Sequence, residues 1–146
     1  MTMTITRFSY PVELTPDENG RIVARVVDLA GCVTDGSDQA EALAEAADAL
    51  EEILADNMVR GLAIPPPSAA RGRPVVAPGA VIAAKAALHL AMRDASIGRT
   101  ALAERLGVDE KAVRRMLDPK HATKIGALEE ALGAAGRKLV ITVEAA

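Results

Sequence analysis

Lys111, Arg114 and Arg115 recur at i, i+3 and i+4, the spacing that brings three cations to one side of a helix. Lys120, His121, Thr123 and Lys124 follow closely. Such a group suits a polyanion: guanidinium forks match the N7 and O6 acceptors of guanine, and ammonium groups pair with phosphates. Glu110, at the start of the same helix, is a candidate for choosing among bases, and Thr100 and Lys124 are candidates for phosphate contact. A second arrangement has the opposite sign. Glu41, Glu45, Asp48 and Glu52 share one face of a long helix, and like charges at i, i+4 repel by roughly 0.2–0.5 kcal/mol per pair, a cost that a basic docking partner would offset. The stripe also fits an ordinary solvated face.

Other chemistries lack their residues. The two histidines, His89 and His121, and the single cysteine, Cys32, give no metal-ligand spacing and no Ser/His/Asp set. His89 reads as a packed or partly exposed helix residue and Cys32 as a small buried apolar one. Two-metal nuclease chemistry needs several carboxylates converging from strands, and the strands offer only Glu13 and Asp28. No Gly-rich phosphate loop is present. Catalysis, metal and cofactor are therefore not expected. Single-stranded RNA readers stack bases on aromatic rings, and this chain has only Phe8 and Tyr10.

The basic group depends on Arg99-Thr100-Ala101-Leu102-Ala103-Glu104-Arg105-Leu106-Gly107-Val108-Asp109-Glu110-Lys111-Ala112-Val113-Arg114-Arg115-Met116-Leu117, which predicts helix, tight turn, helix. Thr100 is the expected cap of the first helix, with Leu102 and Leu106 inward and Ala103 small enough for close approach. Gly107 fits a left-handed helix end, and Val108 is expected to anchor the turn in the core. Asp109 caps the second helix, whose inward face is Val113 with Met116 or Leu117. This arrangement is that of a DNA-binding helix-turn-helix. A preceding helix spans about Ala80 to Ala95 with Val81, Leu88, Met92 and Ala95 on its core face. A packing helix covers Ile125 to Leu132, ending near Gly133 or Gly136. Leu139, Ile141 and Val143 lie in a final β-type run, and since a lone strand is unstable, it calls for a neighbouring subunit or the N-terminal sheet.

In the first half, Met3 to Leu14 and Arg21 to Val27 are expected strands around a turn at Pro16-Asp17-Glu18-Asn19-Gly20. Ile22, Ala24 and Val26 form the buried face of the second. Residues 28–36 read as turn. Ser37 or Asp38 then caps a helix to about Arg60, with Glu41 returning the contact and Leu43, Ala47, Leu50, Leu54 and Met58 inward.

Charge divides the chain. Residues 1–64 carry four bases against twelve acids, whereas residues 81–146 carry eleven bases against eight acids. Five of the eight prolines lie between Pro65 and Pro78. The expected organisation is an acidic domain at 1–64, a semi-rigid proline-rich linker at 65–79, and a basic domain at 80–146 for DNA binding and dimerisation. Val75 and Val76 could still add an edge strand to the N-terminal sheet. No run of eighteen apolar residues and no signal-peptide pattern appear, so a soluble, cytoplasmic protein without membrane contact is expected.

Several short pieces in order carry a resemblance: Tyr10-Pro-Val, Asn19-Gly20, Val27-Asp28-Leu29-Ala30-Gly31-Cys32, Asp35-Gly36, Asp38-Gln39-Ala40-Glu41-Ala42-Leu43, Ile64-Pro65-Pro66-Pro67-Ser68, and His121-Ala-Thr-Lys-Ile after the helix pair. Together they resemble the HicB antitoxin family, in the branch with a C-terminal helix-turn-helix. The resemblance implies an α+β protein: a partial RNase H-like N-terminal domain, a small antiparallel sheet with helix, joined to an all-α helix-turn-helix domain with a short C-terminal strand. It also implies binding of a HicA-type mRNA-cleaving toxin, repression of the toxin-antitoxin operon through operator double-stranded DNA, and assembly as a homodimer or dimer of dimers. The competing reading is a stand-alone helix-turn-helix regulator whose N-terminal domain senses a small ligand.

Overall fold

The computed structural model describes residues 6–145. They divide into two compact units on either side of the Gly79–Ala80 bond.

The first unit is a four-stranded antiparallel sheet with one long helix packed on it. The strands are β1 (Tyr10–Pro16), β2 (Ile22–Val26), β3 (Val33–Gly36) and β4 (Val75–Val76), in the order β3-β2-β1-β4. The turn joining β1 to β2 is set by Asp17, whose carboxylate accepts from the backbone N–H of Asn19 at 2.8 Å and Arg21 at 2.9 Å. The register pairs Val12 with Val26 and Leu14 with Ala24. Tyr10, Val12, Ala24 and Val26 are fully buried, which is the period-two face expected for β2.

Two features differ from the sequence expectations, and a third follows one of the alternatives they left open. Residues 6–9 lie outside β1, which runs on through Pro16, and Met3 to Ile5 of the expected strand fall outside the described residues. Residues 28–36 are only partly turn: the chain reverses through Val27 to Cys32, and Val33–Gly36 then pairs with β2. The segment 65–79, expected as a proline-rich linker in which Val75 and Val76 could add an edge strand, forms that strand and lies along β1. Pro74 O accepts from Val12 N at 2.9 Å, the Tyr10 hydroxyl donates to Pro65 O at 2.7 Å, and β4 pairs with Tyr10 and Pro11. Pro11 and Pro74 lack an N–H, which keeps this edge pairing short.

Helix α1 (Gln39–Arg60) starts at Asp38, whose carboxylate accepts from Glu41 N at 2.8 Å. The Glu41 carboxylate reaches back to Ser37, at 3.2 Å to N–H and 3.0 Å to the hydroxyl, rather than to Asp38. The inward stripe is Ala42, Ala46, Leu50, Leu54 and Met58, so in the first two turns it runs one residue ahead of the expected Leu43 and Ala47, which are half-buried at its margin. Small residues face the sheet there because β3 comes close.

The second unit contains α2 (Ala80–Ala95), α3 (Arg99–Leu106), α4 (Glu110–Leu117) and α5 (Ile125–Ala134). Its core gathers Ala84, Leu88, Ala91 and Met92 from α2, Leu102 and Ala103 from α3, Val113 from α4, and Leu128, Ala131 and Leu132 from α5. Val81 and Ala95, expected inward, are exposed, because the buried stripe of α2 follows Ala84, Leu88, Ala91 and Met92. The expected terminal strand is absent: residues 137–145 form no regular element and join no sheet. An extended segment needs an edge to pair with, and neither sheet nor helix of this unit offers one.

Candidate functional site

Helix α3 ends at Gly107, which takes the left-handed conformation at φ +69° and donates its N–H to Ala103 O and Glu104 O. Val108 N donates to Ala103 O at 3.1 Å, completing a Schellman-type end. Asp109 accepts from Ala112 N at 2.8 Å and starts α4. The turn is therefore three residues long, and Ala103, nearly fully buried, lies in the core that α3 and α4 share. Two expectations fail here. Val108 is 40 % exposed, so backbone hydrogen bonds rather than an apolar anchor hold the turn. Thr100 is not a cap: Gly98 holds that position without a side-chain bond, and Thr100 is exposed within the first turn of α3.

Val113 fixes the orientation of α4, since it is fully buried while Met116 and Leu117 pack partly against the same core. Lys111, Arg114 and Arg115 are left exposed on the other side, as are Lys120, His121 and Lys124 beyond the helix, with Thr123 half-buried. Glu110 is not free to meet a ligand alone. Its carboxylate lies 2.8 Å from Arg114 Nη2 and 3.2 Å from Arg99 Nε. Arg99, at the start of α3, thereby joins the basic face. Sequence periodicity could not place it there, because the intervening turn breaks the helical register. Lys111, Arg115, Lys120 and Lys124 are in no ion pair among the described residues.

Behind this face lies a residue whose role no pattern revealed. Lys85 of α2 is fully buried, and its ammonium donates to the carbonyls of Asp118 and His121 at 2.6 Å each and of Arg115 at 3.3 Å. Burial pulls its pKa down, and the Asp118 carboxylate works against that shift. One turn further along α2, His89 Nε2 lies 2.9 Å from Leu117 O, which can only accept, so the ring carries its proton on Nε2. Burial lowers the His89 pKa, the bond to Leu117 opposes this, and nearby Lys85 lowers it further. His89 is thus packed, as its sequence setting suggested. A lysine in an alanine-rich helix was the available signal, but an exposed lysine gives the same one.

On the first unit, Glu41, Glu45, Asp48 and Glu52 are all exposed along α1. Glu41 is partly engaged, by Ser37 and by Arg21 at 3.8 Å. Of the two carboxylates expected on strands, Glu13 is in β1, whereas Asp28 lies in the turn after β2, and the other strand carboxylate is Asp35 of β3, paired with Arg21 at 2.8 Å. Glu13 faces Arg25 across the β1–β2 pair at 2.6 Å and lies 3.5 Å from Arg73, and the Arg25 hydrogen bond holds its carboxyl below the usual range. Asp28 accepts from both N–H and hydroxyl of Ser68, at 2.9 and 3.0 Å. Cys32 is buried, and burial pushes its thiol pKa up. No group of three or more metal-ligating side chains occurs among the described residues. A cleft lined by Arg7, Ser9, Pro67, Ser68, Ala69, Ala70 and Val75 opens on the surface of this unit. No helix of the described residues is long and apolar enough to cross a membrane.

The molecule is thus a two-part α+β protein, with an acidic helix face on a small antiparallel sheet and a basic face on a four-helix unit. The sequence profile described as the HicB_like antitoxin of bacterial toxin-antitoxin systems matches residues 9–91. The chain is also similar to Antitoxin HicB 1 of Photorhabdus laumondii, 31% identical over 96% of this chain and 90% of the relative. Antitoxin HicB of Escherichia coli K12 is 32% identical over 92% of this chain and 98% of the relative. A second Photorhabdus laumondii protein, Antitoxin HicB 2, is 35% identical over 89% and 92%. This chain belongs to the HicB-like antitoxin family.

Proposed function

We propose that this antitoxin neutralises a small basic mRNA-cleaving toxin of the HicA type with its first unit and represses its own operon with its second, reading operator DNA through a helix-turn-helix formed by α3 and α4. The observation that carries the reading is the outward face of α4: with Val113 buried, Lys111, Arg114 and Arg115 point away from the core and continue into the cationic loop at 120–124. A two-turn helix presented on a three-residue turn is the shape that enters a major groove. The reading has no catalytic step. The carboxylates on or next to the strands are engaged, Glu13 by Arg25 and Arg73, Asp35 by Arg21 and Asp28 by Ser68.

Toxin docking is assigned to the exposed face of Glu45, Asp48 and Glu52, with Glu41 at its end. Complementary charge acts chiefly by steering encounter. Changing Asp48 and Glu52 to Lys is expected to slow association with the basic protein encoded beside this one by roughly ten-fold at low salt, and to weaken the salt dependence of that rate. Stopped-flow association rates test this, and an unchanged rate at low salt would leave the stripe a solvated face.

Assembly as a homodimer, or a dimer of dimers, is assigned to the C-terminal tail, with Leu139, Ile141 and Val143 as its contacts. Leu139 packs partly on the core, while Val140, Ile141 and Val143 are 71, 69 and 90 % exposed. In an assembly this run becomes an intersubunit strand. Deleting residues 137–146 is expected to shift the protein toward monomer in sedimentation and to weaken operator binding. A deletion variant of unchanged mass and affinity would place the dimer contacts elsewhere.

A further inference from the structure

Short helices are marginal in isolation, and α4 has only eight residues, of which Val113 alone is fully buried. Its N-terminal end is fixed by the Asp109 cap and the hydrogen-bonded turn. At its C-terminal end Met116 and Leu117 are only partly buried against the core, and no residue of the 118–124 loop, where Lys120, His121 and Lys124 are exposed, joins that core. Lys85 occupies that place. One ammonium with three protons meets three carbonyls: Arg115 on the last turn of α4, Asp118 at its cap, and His121 in the loop. His89 takes a fourth, Leu117 O, from the same face of α2.

These carbonyls do not depend on Lys85 for satisfaction. Arg115 O also accepts from Asp118 N at 3.2 Å, Asp118 O from His121 N at 3.1 Å, and His121 O from the Thr123 hydroxyl at 3.4 Å. A buried cation is costly to desolvate, and an apolar side chain would suit an otherwise apolar helix face. What the ammonium adds is geometry, a tie from α2 to three points along the chain, at the end of α4 where the helix dipole favours positive charge.

We infer that Lys85 is a positioning residue for DNA reading: it never touches DNA, but holds the C-terminal end of α4 and the 118–121 loop so that Arg115, Lys120 and His121 arrive in register with one groove. This rests on the proposed operator reading. Specific recognition needs that register, whereas non-specific attraction to phosphates needs chiefly the exposed cations, all of which remain when the buried Lys85 is replaced.

The test compares full-length wild type and Lys85→Met by anisotropy titration, against the promoter duplex of the protein's own operon and against a scrambled duplex, at several salt concentrations. Lys85→Met is expected to lose at least ten-fold in affinity for the promoter duplex, while its affinity for the scrambled duplex stays within two-fold and the salt slope there is unchanged. Amide exchange is expected to quicken at residues 117–122, with α3 and α5 still protected. Should Lys85→Met fail to fold, Lys85→Gln, which keeps two donors without the charge, is read by the same criteria. Equal promoter binding by variant and wild type overturns the inference, as does a parallel loss on both duplexes, which is the mark of a merely structural role. A wild type with no preference for the promoter duplex overturns the operator reading itself, and the positioning role with it.

Discussion

Gly36→Ala is expected to destabilise the first unit by about 3 kcal/mol, near the upper end of what overpacking costs. A Cβ at residue 36 would overlap the backbone nitrogen of Ala42 and stand 2.8 Å from the Glu41 carbonyl carbon and 2.9 Å from Ala42 Cα. None of these atoms can turn aside as a flexible side chain would, because they form the first turn of α1, which the Asp38 cap and the Ser37–Glu41 bonds fix against the end of β3. The backbone of Gly36 is not left-handed, so its requirement is space and not conformational freedom. For a unit of this size, about 3 kcal/mol corresponds to a fall in melting temperature of roughly 12–24 °C. Thermal unfolding followed at the first unit measures it, and a loss below about 1 kcal/mol would mean that the helix can shift away from the sheet.

Gly36 also shows where sequence reading stops. Asp35-Gly36 has the composition of a turn, and the segment containing it read as one, yet the glycine ends a strand and is there because a helix crosses it. Local chemistry was legible at several places where a side chain acts on its own neighbours: the turn at residues 16–20, the Asp109 cap and the left-handed Gly107 follow from residue type and spacing, and Asp38 was one of two caps open for α1, whereas Thr100 proved not to cap α3. The alternation of β2 and the burial of Val113 were equally open to reading, because period alone sets the inward face. Positions fixed by distant elements were not. The α1 stripe shifts from Leu43 to Ala42 because β3 approaches, and the Tyr10 hydroxyl holds Pro65 beyond the edge strand that Val75 and Val76 were already open to forming. Within the basic face, Lys111, Arg114 and Arg115 followed from helical spacing. Arg99 and Lys85 reach it through tertiary contacts alone, 11 residues before Glu110 and 30 before Arg115.

The other large effect is expected at α4, the proposed reading helix. Arg114 and Arg115 project from α4 beside Lys111, and Arg114 reaches its place already oriented by Glu110. That preorganised guanidinium can make a bidentate contact to guanine, an interaction worth about 1–3 kcal/mol of discrimination, or roughly five- to 150-fold in affinity. Truncating either arginine is expected to remove that much and to relax preference at one base pair. The double variant should lose most of the preference for operator over random sequence. A lysine that meets only phosphate behaves differently: Lys111→Ala or Lys124→Ala should weaken every duplex alike and flatten the salt slope by about one. In a two-fold assembly the half-sites should lie about one helical turn, or a multiple of it, apart.

The most direct measurement is therefore an anisotropy titration of wild type, Arg114→Ala, Arg115→Ala and the double variant against the promoter region of the protein's own operon, at several salt concentrations, with folding of each variant verified by circular dichroism. Wild type is expected to show a clear preference for the promoter, each single variant to lose roughly five-fold or more in affinity, and the double variant to lose nearly all of the preference. Wild-type promoter affinity in all three folded variants would contradict the assignment of α4 as the reading helix.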